Sequence, residues 1–204
     1  GEEEVVRFKR EVGVLARLDH PNIVQVYDFG VEHGLLYFVM ELIEGRDLLA
    51  IIQETLMNER RAPEWERIAL IMRSIAKAIA YCHKTGIVHR DVKPQNILVE
   101  SETDRAVLVD FGLIKKDRTK IGSSMMSQGQ SLTQKGDLIG TPAYMSPEQF
   151  SPGGSFGRVG ACSDVWGFGA SLFHALAGVP PYNRSTAMEI FQDIMTFDPP
   201  RLQS

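Results

Sequence analysis

The stretch NILVESETDRAVLVD, residues 96–110, constrains the fold of this 204-residue chain more than any other. Two aliphatic runs, NILVE and AVLVD, stand on either side of the polar turn SETDR, the pattern of a buried β-hairpin. Each run carries a polar residue at its outer end, Asn96 before the first and Asp110 after the second. Chain reversal brings those ends together, so an amide and a carboxylate are expected to face each other at the mouth of the hairpin, with aliphatic neighbours that keep the place partly dry. Directly upstream, GIVHRDVKPQN packs His89, Arg90, Asp91, Lys93 and Asn96 into eight positions.

The other elements read as follows. Val5, Phe8, Val12, Leu15 and Leu18 follow helical spacing, and Pro21 in LDHPN ends that helix. The periodicity begins almost at the first residue with no capping signal before it, so the chain is expected to start inside a domain. IVQVYDFG and LLYFVMEL, rich in β-branched and aromatic residues, predict a second hairpin around VEHG. IEGRDL breaks the pattern. Leu48, Leu49 and Ile52 start a short helix, and Trp65, Ile68, Ala69, Met72, Ile75, Ala76, Ile79 and Ala80 mark a long one, with Pro63 in its first turn and Gly86 at its end. Residues 115–135 are rich in Ser, Gly and Gln and too poor in apolar residues to form core, which predicts a mobile loop. DVWGFGASLFHALAG, apolar at 165, 168, 172 and 176 and closed by Gly178 and two prolines, predicts a helix, and TAMEIFQDIM a last one.

Charge and cysteine usage narrow the function classes. A net charge of -4 argues against a general binder of nucleic acid or anionic membrane. Cys82 and Cys162 lie in helical segments without a CxxC or a His-rich tract, and are expected to be buried free thiols of a reducing compartment. No stretch approaches the roughly 18 uninterrupted apolar residues of a membrane span, and GEEEVVRFKREVG lacks the apolar core of a signal peptide. A cytoplasmic location without membrane contact is expected for this segment, and an anchor outside it is left open.

Phosphoryl transfer from a nucleotide uses a set of this kind: a carboxylate to orient and deprotonate the attacking hydroxyl, a cation near the moving phosphate, and oxygen ligands for Mg²⁺. Asp91, Lys93, Asn96 and Asp110 supply those groups. The order HRDVKPQN, then DFG at 110–112, then GTPAYMSPE at 140–148 resembles the signature set of eukaryotic-type serine/threonine protein kinases, truncated at both ends. GTPAYMSPEQF and the compact hinge resemble bacterial members.

The resemblance implies an α+β, bilobal fold: residues 1–43 as a partial N-terminal lobe with the family's αC helix, two strands and hinge, and 44–204 as a mainly helical C-terminal lobe holding the catalytic loop, the activation segment 110–148 and helices F and G. It implies ATP with Mg²⁺, or Mn²⁺, as cofactors and Ser/Thr-bearing proteins as substrates. Asp91 resembles the base, Lys93 the cation at the γ-phosphate, Asn96 and Asp110 the metal ligands, and Thr141 the residue that bonds the catalytic Asp and Lys. The main chain of Glu41 and Ile43 would hold adenine, with Met40 at the back of the pocket, Leu98 as its floor and Asp47 reaching the ribose. Glu11 resembles the αC glutamate. Leu15, Val26, His89 and Phe111 resemble the stacked regulatory column, and Gly112 completes DFG. Glu148 closes the peptide-substrate platform. Asp164 resembles the helix-F aspartate that anchors the catalytic loop; without the resemblance it reads as a helix N-cap.

Arg90, just before Asp91, resembles the arginine that awaits an activation-segment phosphate, for which Ser123, Ser124, Ser127, Ser131 and Thr133 are candidates. Asp137, four residues before Thr141, is hypothesised to pair with Arg90 without modification. A Gly-rich loop and a VAIK-like lysine are absent before the opening helix. A non-catalytic scaffold therefore stays open beside the enzyme, and the isolated chain is expected to be a poor catalyst. A small-molecule phosphotransferase is the third reading, and the GTPAYMSPE platform counts against it.

Overall fold

A computed structural model describes residues 2–33, 35–57, 65–111, 142–150, 154–196 and 198–202. Helix α1, Glu2–Leu15, is followed by the antiparallel hairpin of β1, Val26–Glu32, and β2, Leu35–Met40. A three-stranded antiparallel sheet in the order β3-β4-β5 then joins Gly45–Asp47, Ile97–Glu100 and Ala106–Leu108. Around it lie helices α2, Leu48–Met57, α3, Trp65–Lys84, α4, Pro147–Phe150, α5, Ala161–Ala177, and α6, Ala187–Thr196. The architecture is α+β, as expected.

The β4–β5 hairpin is buried on both faces, which explains why its runs read as continuously aliphatic. Ile97, Val99, Ala106 and Leu108 point into the main core with Leu48, Ile51 and Ile52 of α2 and the α3 stripe. Val107 and Leu98 point the other way, onto Val24 and Ile43. A second cluster seats Phe8, Val12 and Leu15 of α1 against Ala78 and Cys82 of α3. A third gathers Ala143, Tyr144, Ala170 and Tyr182 with Ile190 and Ile194 of α6.

Four local expectations are corrected. IEGRDL contains β3, not a break, because pairing with β4 supplies what three residues of weak propensity cannot; a Cβ on Gly45 would lie 2.1 Å from the Val99 carbonyl oxygen. The buried stripe of α3 is Ile68, Ile71, Met72, Ile75, Ala78, Ile79 and Cys82, with Trp65, Ala69 and Ala80 facing out. Helix α5 begins at Ala161 and buries Ser163, Asp164, Gly167, Ala170, Ser171 and His174, whereas Val165 is exposed. Its face is small and polar because it lies on main chain: a Cβ on Gly167 would stand 2.6 Å from the Val92 carbonyl oxygen. Finally, Cys82 is buried, its thiol pushed up to about 12 chiefly by burial, but Cys162 is exposed on the first turn of α5. Pro63 and residues 115–135 lie outside the described residues.

Candidate active site

The polar mouth of the β4–β5 hairpin is where the site assembles. The Val109 N–H donates to the Asn96 carbonyl at 2.9 Å, so Val109 stands opposite Asn96 and Asp110 follows one residue later, exposed and in left-handed backbone at φ 60. Lys93, the N-cap, leads into the short helix Pro94–Asn96, which folds the loop 89–96 back over itself. Asn96 Nδ2 donates to the Asp91 carbonyl at 2.7 Å and to Asp91 Oδ2 at 3.1 Å, and Lys93 Nζ meets the same oxygen at 3.1 Å. All three residues are buried. A buried ion pair gains little net stability, but removing one partner strands the other charge, so the group is held together by necessity. Because the Asn96 nitrogen is turned to Asp91, its oxygen is the atom available to a hard cation.

The loop is aimed from beneath by α5. Asp164, fully buried, accepts the His89 N–H at 2.8 Å on Oδ2 and the Arg90 N–H at 2.7 Å on Oδ1, and pairs with His83 Nε2 at 2.8 Å. It is not the N-cap: Gly160 is, with its N–H held by Ser163 Oγ at 3.0 Å. Ser163 in turn donates to Glu148 Oε1 at 2.6 Å, tying the segment 146–150 to α5. These bonds support Arg90 in left-handed backbone at φ 68.

His89 is a packing residue by its partners. Its Nε2 lies 2.9 Å from the Val109 carbonyl, its Nδ1 accepts the Asp91 N–H at 3.2 Å, and its ring sits 4.5 Å from that of Phe111. Those partners assign the neutral ring with the proton on Nε2. Burial pushes its pKa below the usual imidazole value, outweighing the opposing carboxylates of Asp164, Asp91 and Asp110. Phe111 packs on the cluster that holds Leu15 and Val26, so the four residues are contiguous.

At the end of β2, the place expected for the hinge, Met40 is half-exposed opposite Val26, and the Glu41 N–H donates to the Gln25 carbonyl at 2.9 Å. Ile43 is buried beside Leu98. Asp47 serves the fold locally, its Oδ1 accepting the Ala50 N–H at 2.9 Å to cap α2. Glu11 lies half-buried on α1. Gly112, Asp137, Thr141 and the serines and threonine proposed for phosphorylation lie outside the described residues.

Sequence reasoning missed Arg105, His83 and Gln149. Arg105 donates to Glu41 Oε1 at 2.5 Å, to Glu100 Oε1 at 3.3 Å and to the Pro21 carbonyl at 3.1 Å, and Asn22 Nδ2 reaches the Ala106 carbonyl at 2.7 Å, so the start of β5 and the residue before it hold Glu41 and the loop after α1. These partners are distant in sequence and leave no local signal. Gln149 had one, since S-x-x-Q at 146–149 is a capping-box pattern.

The buried Asp91–Lys93–Asn96 cluster is the centre of the candidate site, and comparison with known proteins gives the class. The family model described as the protein kinase domain matches residues 1–201, and the chain belongs to that family. It is similar to serine/threonine-protein kinase pkn3 of Myxococcus xanthus, 36% identical over 98% of this chain and 34% of that protein. It is similar to PkaA of Streptomyces coelicolor, 36% identical over 97% and 33%, and to PknL of Mycobacterium tuberculosis, 34% identical over 98% and 45%. The chain thus spans about a third of the length of the first two relatives. The solved kinase domain of Mycobacterium tuberculosis PknI matches with a TM-score of 0.64 and 27% identity, covering 91% of this chain and 62% of that one.

Proposed function

We propose that this site transfers the γ-phosphoryl group of ATP to serine or threonine hydroxyls of protein substrates. The observation that carries the reading is the Asp91–Lys93–Asn96 cluster, buried and mutually bonded, on a loop anchored by Asp164. Asp91 orients the substrate hydroxyl and accepts its proton, in a place dry enough for its charge to act at full strength. Lys93 stands beside it to meet negative charge on the phosphate. The oxygen of Asn96 and the exposed carboxylate of Asp110 would hold Mg²⁺ or Mn²⁺, which supplies charge neutralisation at the phosphate oxygens. Adenine would lie against Ile43 and Leu98, along the main chain of Glu41. Arg90, at the exposed side of the loop, would answer a negative group from the segment before Thr141, Asp137 among them.

Residues 1–43 form one lobe and 44–204 the other in this reading. The test uses the full gene product with Mg-ATP and two peptides that differ only in carrying serine or tyrosine. Phosphate is expected on serine alone; incorporation on tyrosine, or on ADP-type small acceptors instead of peptide, overturns the assignment of substrate.

A further inference from the structure

Arg90 holds a backbone conformation that non-glycine residues adopt only when their surroundings over-determine it, at φ 68. Both main-chain polar groups of this residue are held from outside the loop. Its N–H donates to Asp164 Oδ1 at 2.7 Å, and its carbonyl accepts from Gln149 Nε2, also at 2.7 Å. The first anchor comes from α5; the second comes from α4, in the segment that follows the buried Pro142–Tyr144 turn.

The other end of the Gln149 amide is equally engaged. Oε1 accepts the Ser146 N–H at 3.1 Å and the Ser146 hydroxyl at 3.2 Å, while the Gln149 N–H returns to the Ser146 carbonyl at 2.9 Å. Ser146 is buried. The side-chain half of a capping box is thus present, Gln149 reaching back to the Ser146 N–H, and that half is served by glutamate as well as by glutamine. Donation to the Arg90 carbonyl is not: only the amide can accept from Ser146 and donate to Arg90 at once.

We propose that Gln149 is a positioning residue that couples the segment 142–150 to the catalytic loop, fixing the Arg90 peptide, and with it the aim of Asp91, when that segment is seated. The kinetic half of the proposal rests on the phosphotransfer reading of Asp91; the structural half does not. Seating the substrate platform and aiming the base become one event, because the same amide belongs to both.

Gln149→Glu keeps the contact to Ser146 and sets a carboxylate against the Arg90 carbonyl, and Gln149→Met removes both functions at similar volume. Hydrogen exchange on the 204-residue chain is expected to quicken about tenfold at amides 89–92 in both variants, with α3 unchanged, the effect of one lost hydrogen bond. In the full gene product kcat is expected to fall about tenfold in both, with the KM for ATP and the thermal midpoint of Gln149→Glu unchanged. A role confined to capping predicts that Gln149→Glu behaves as wild type in both measurements, and that result overturns the proposal. Faster exchange in a protein whose wild type moves no phosphate would instead overturn the phosphotransfer reading and leave the coupling standing.

Discussion

Two hairpins with nearly the same sequence signal have opposite fates in this molecule. In β4–β5, Ile97, Val107 and Leu108 are fully buried, and both faces meet core. In β1–β2, Leu35 is 74% exposed and Phe38, Val39 and Met40 are each more than a third exposed, with Val26 the buried anchor. Apolar runs tell where strands form; what packs on their faces decides whether they become core. The difference also divides the labour of the site. The buried hairpin holds Asn96 and Val109 in fixed register beneath Asp91, while the exposed one rests on α1 through Val26, Phe29 and Leu36 and leads into Glu41, which Arg105 holds.

The sharpest way to break the contrast is to shorten one side chain in each hairpin. Leu108→Ala is expected to cost about 2–5 kcal/mol, read by denaturant unfolding, because it opens a cavity in a closed core. Leu35→Ala should stay within about 0.5 kcal/mol by the same measurement. Equal effects would mean that the exposed hairpin is packed in solution.

Acid should act on the buried side first. His89 and His174 are both held below the usual imidazole pKa by burial, and His174 Nδ1 lies 2.7 Å from the Tyr144 hydroxyl. In the unfolded chain each takes up a proton near pH 6.5, which the native state refuses, so the unfolded state binds more protons below that pH. Stability is therefore expected to hold above about pH 6.5 and to fall as pH drops below it, by up to about 1.4 kcal/mol per unit for each histidine. His89→Asn should flatten the slope; an unchanged slope would mean that His89 does not set it.

The smallest effect is expected at the joint between the hairpins. Arg105→Ala frees the Glu41 carboxylate from β5, and since Arg105 is about a third exposed the stability loss should be near 1 kcal/mol or less. The KM for ATP in the full gene product is expected to rise several-fold with little change in kcat, which would sharpen the view that the exposed hairpin depends on the buried one for its position.

What was legible in the sequence follows the same divide. The β4–β5 hairpin, α3 and the polar loop between them are local patterns, and their residues sit together because chain reversal forces them to. β3 was missed because three residues acquire strand geometry only from β4. Asp164 reads as a cap from its neighbours alone, since the partners that define it lie more than 70 residues away. Arg105 and His83 carry no local pattern for the same reason. Cys162 shows that a helical setting does not say which face a residue takes.

The most direct measurement is phosphate incorporation from Mg-ATP into a serine peptide by the full gene product, compared with its Asp91→Asn variant. Ready transfer is expected from the wild type, and a loss of at least about a hundredfold in kcat from the variant, the scale of a general base, with nucleotide affinity retained. Transfer by Asp91→Asn at the wild-type rate would contradict the role of Asp91 as the base.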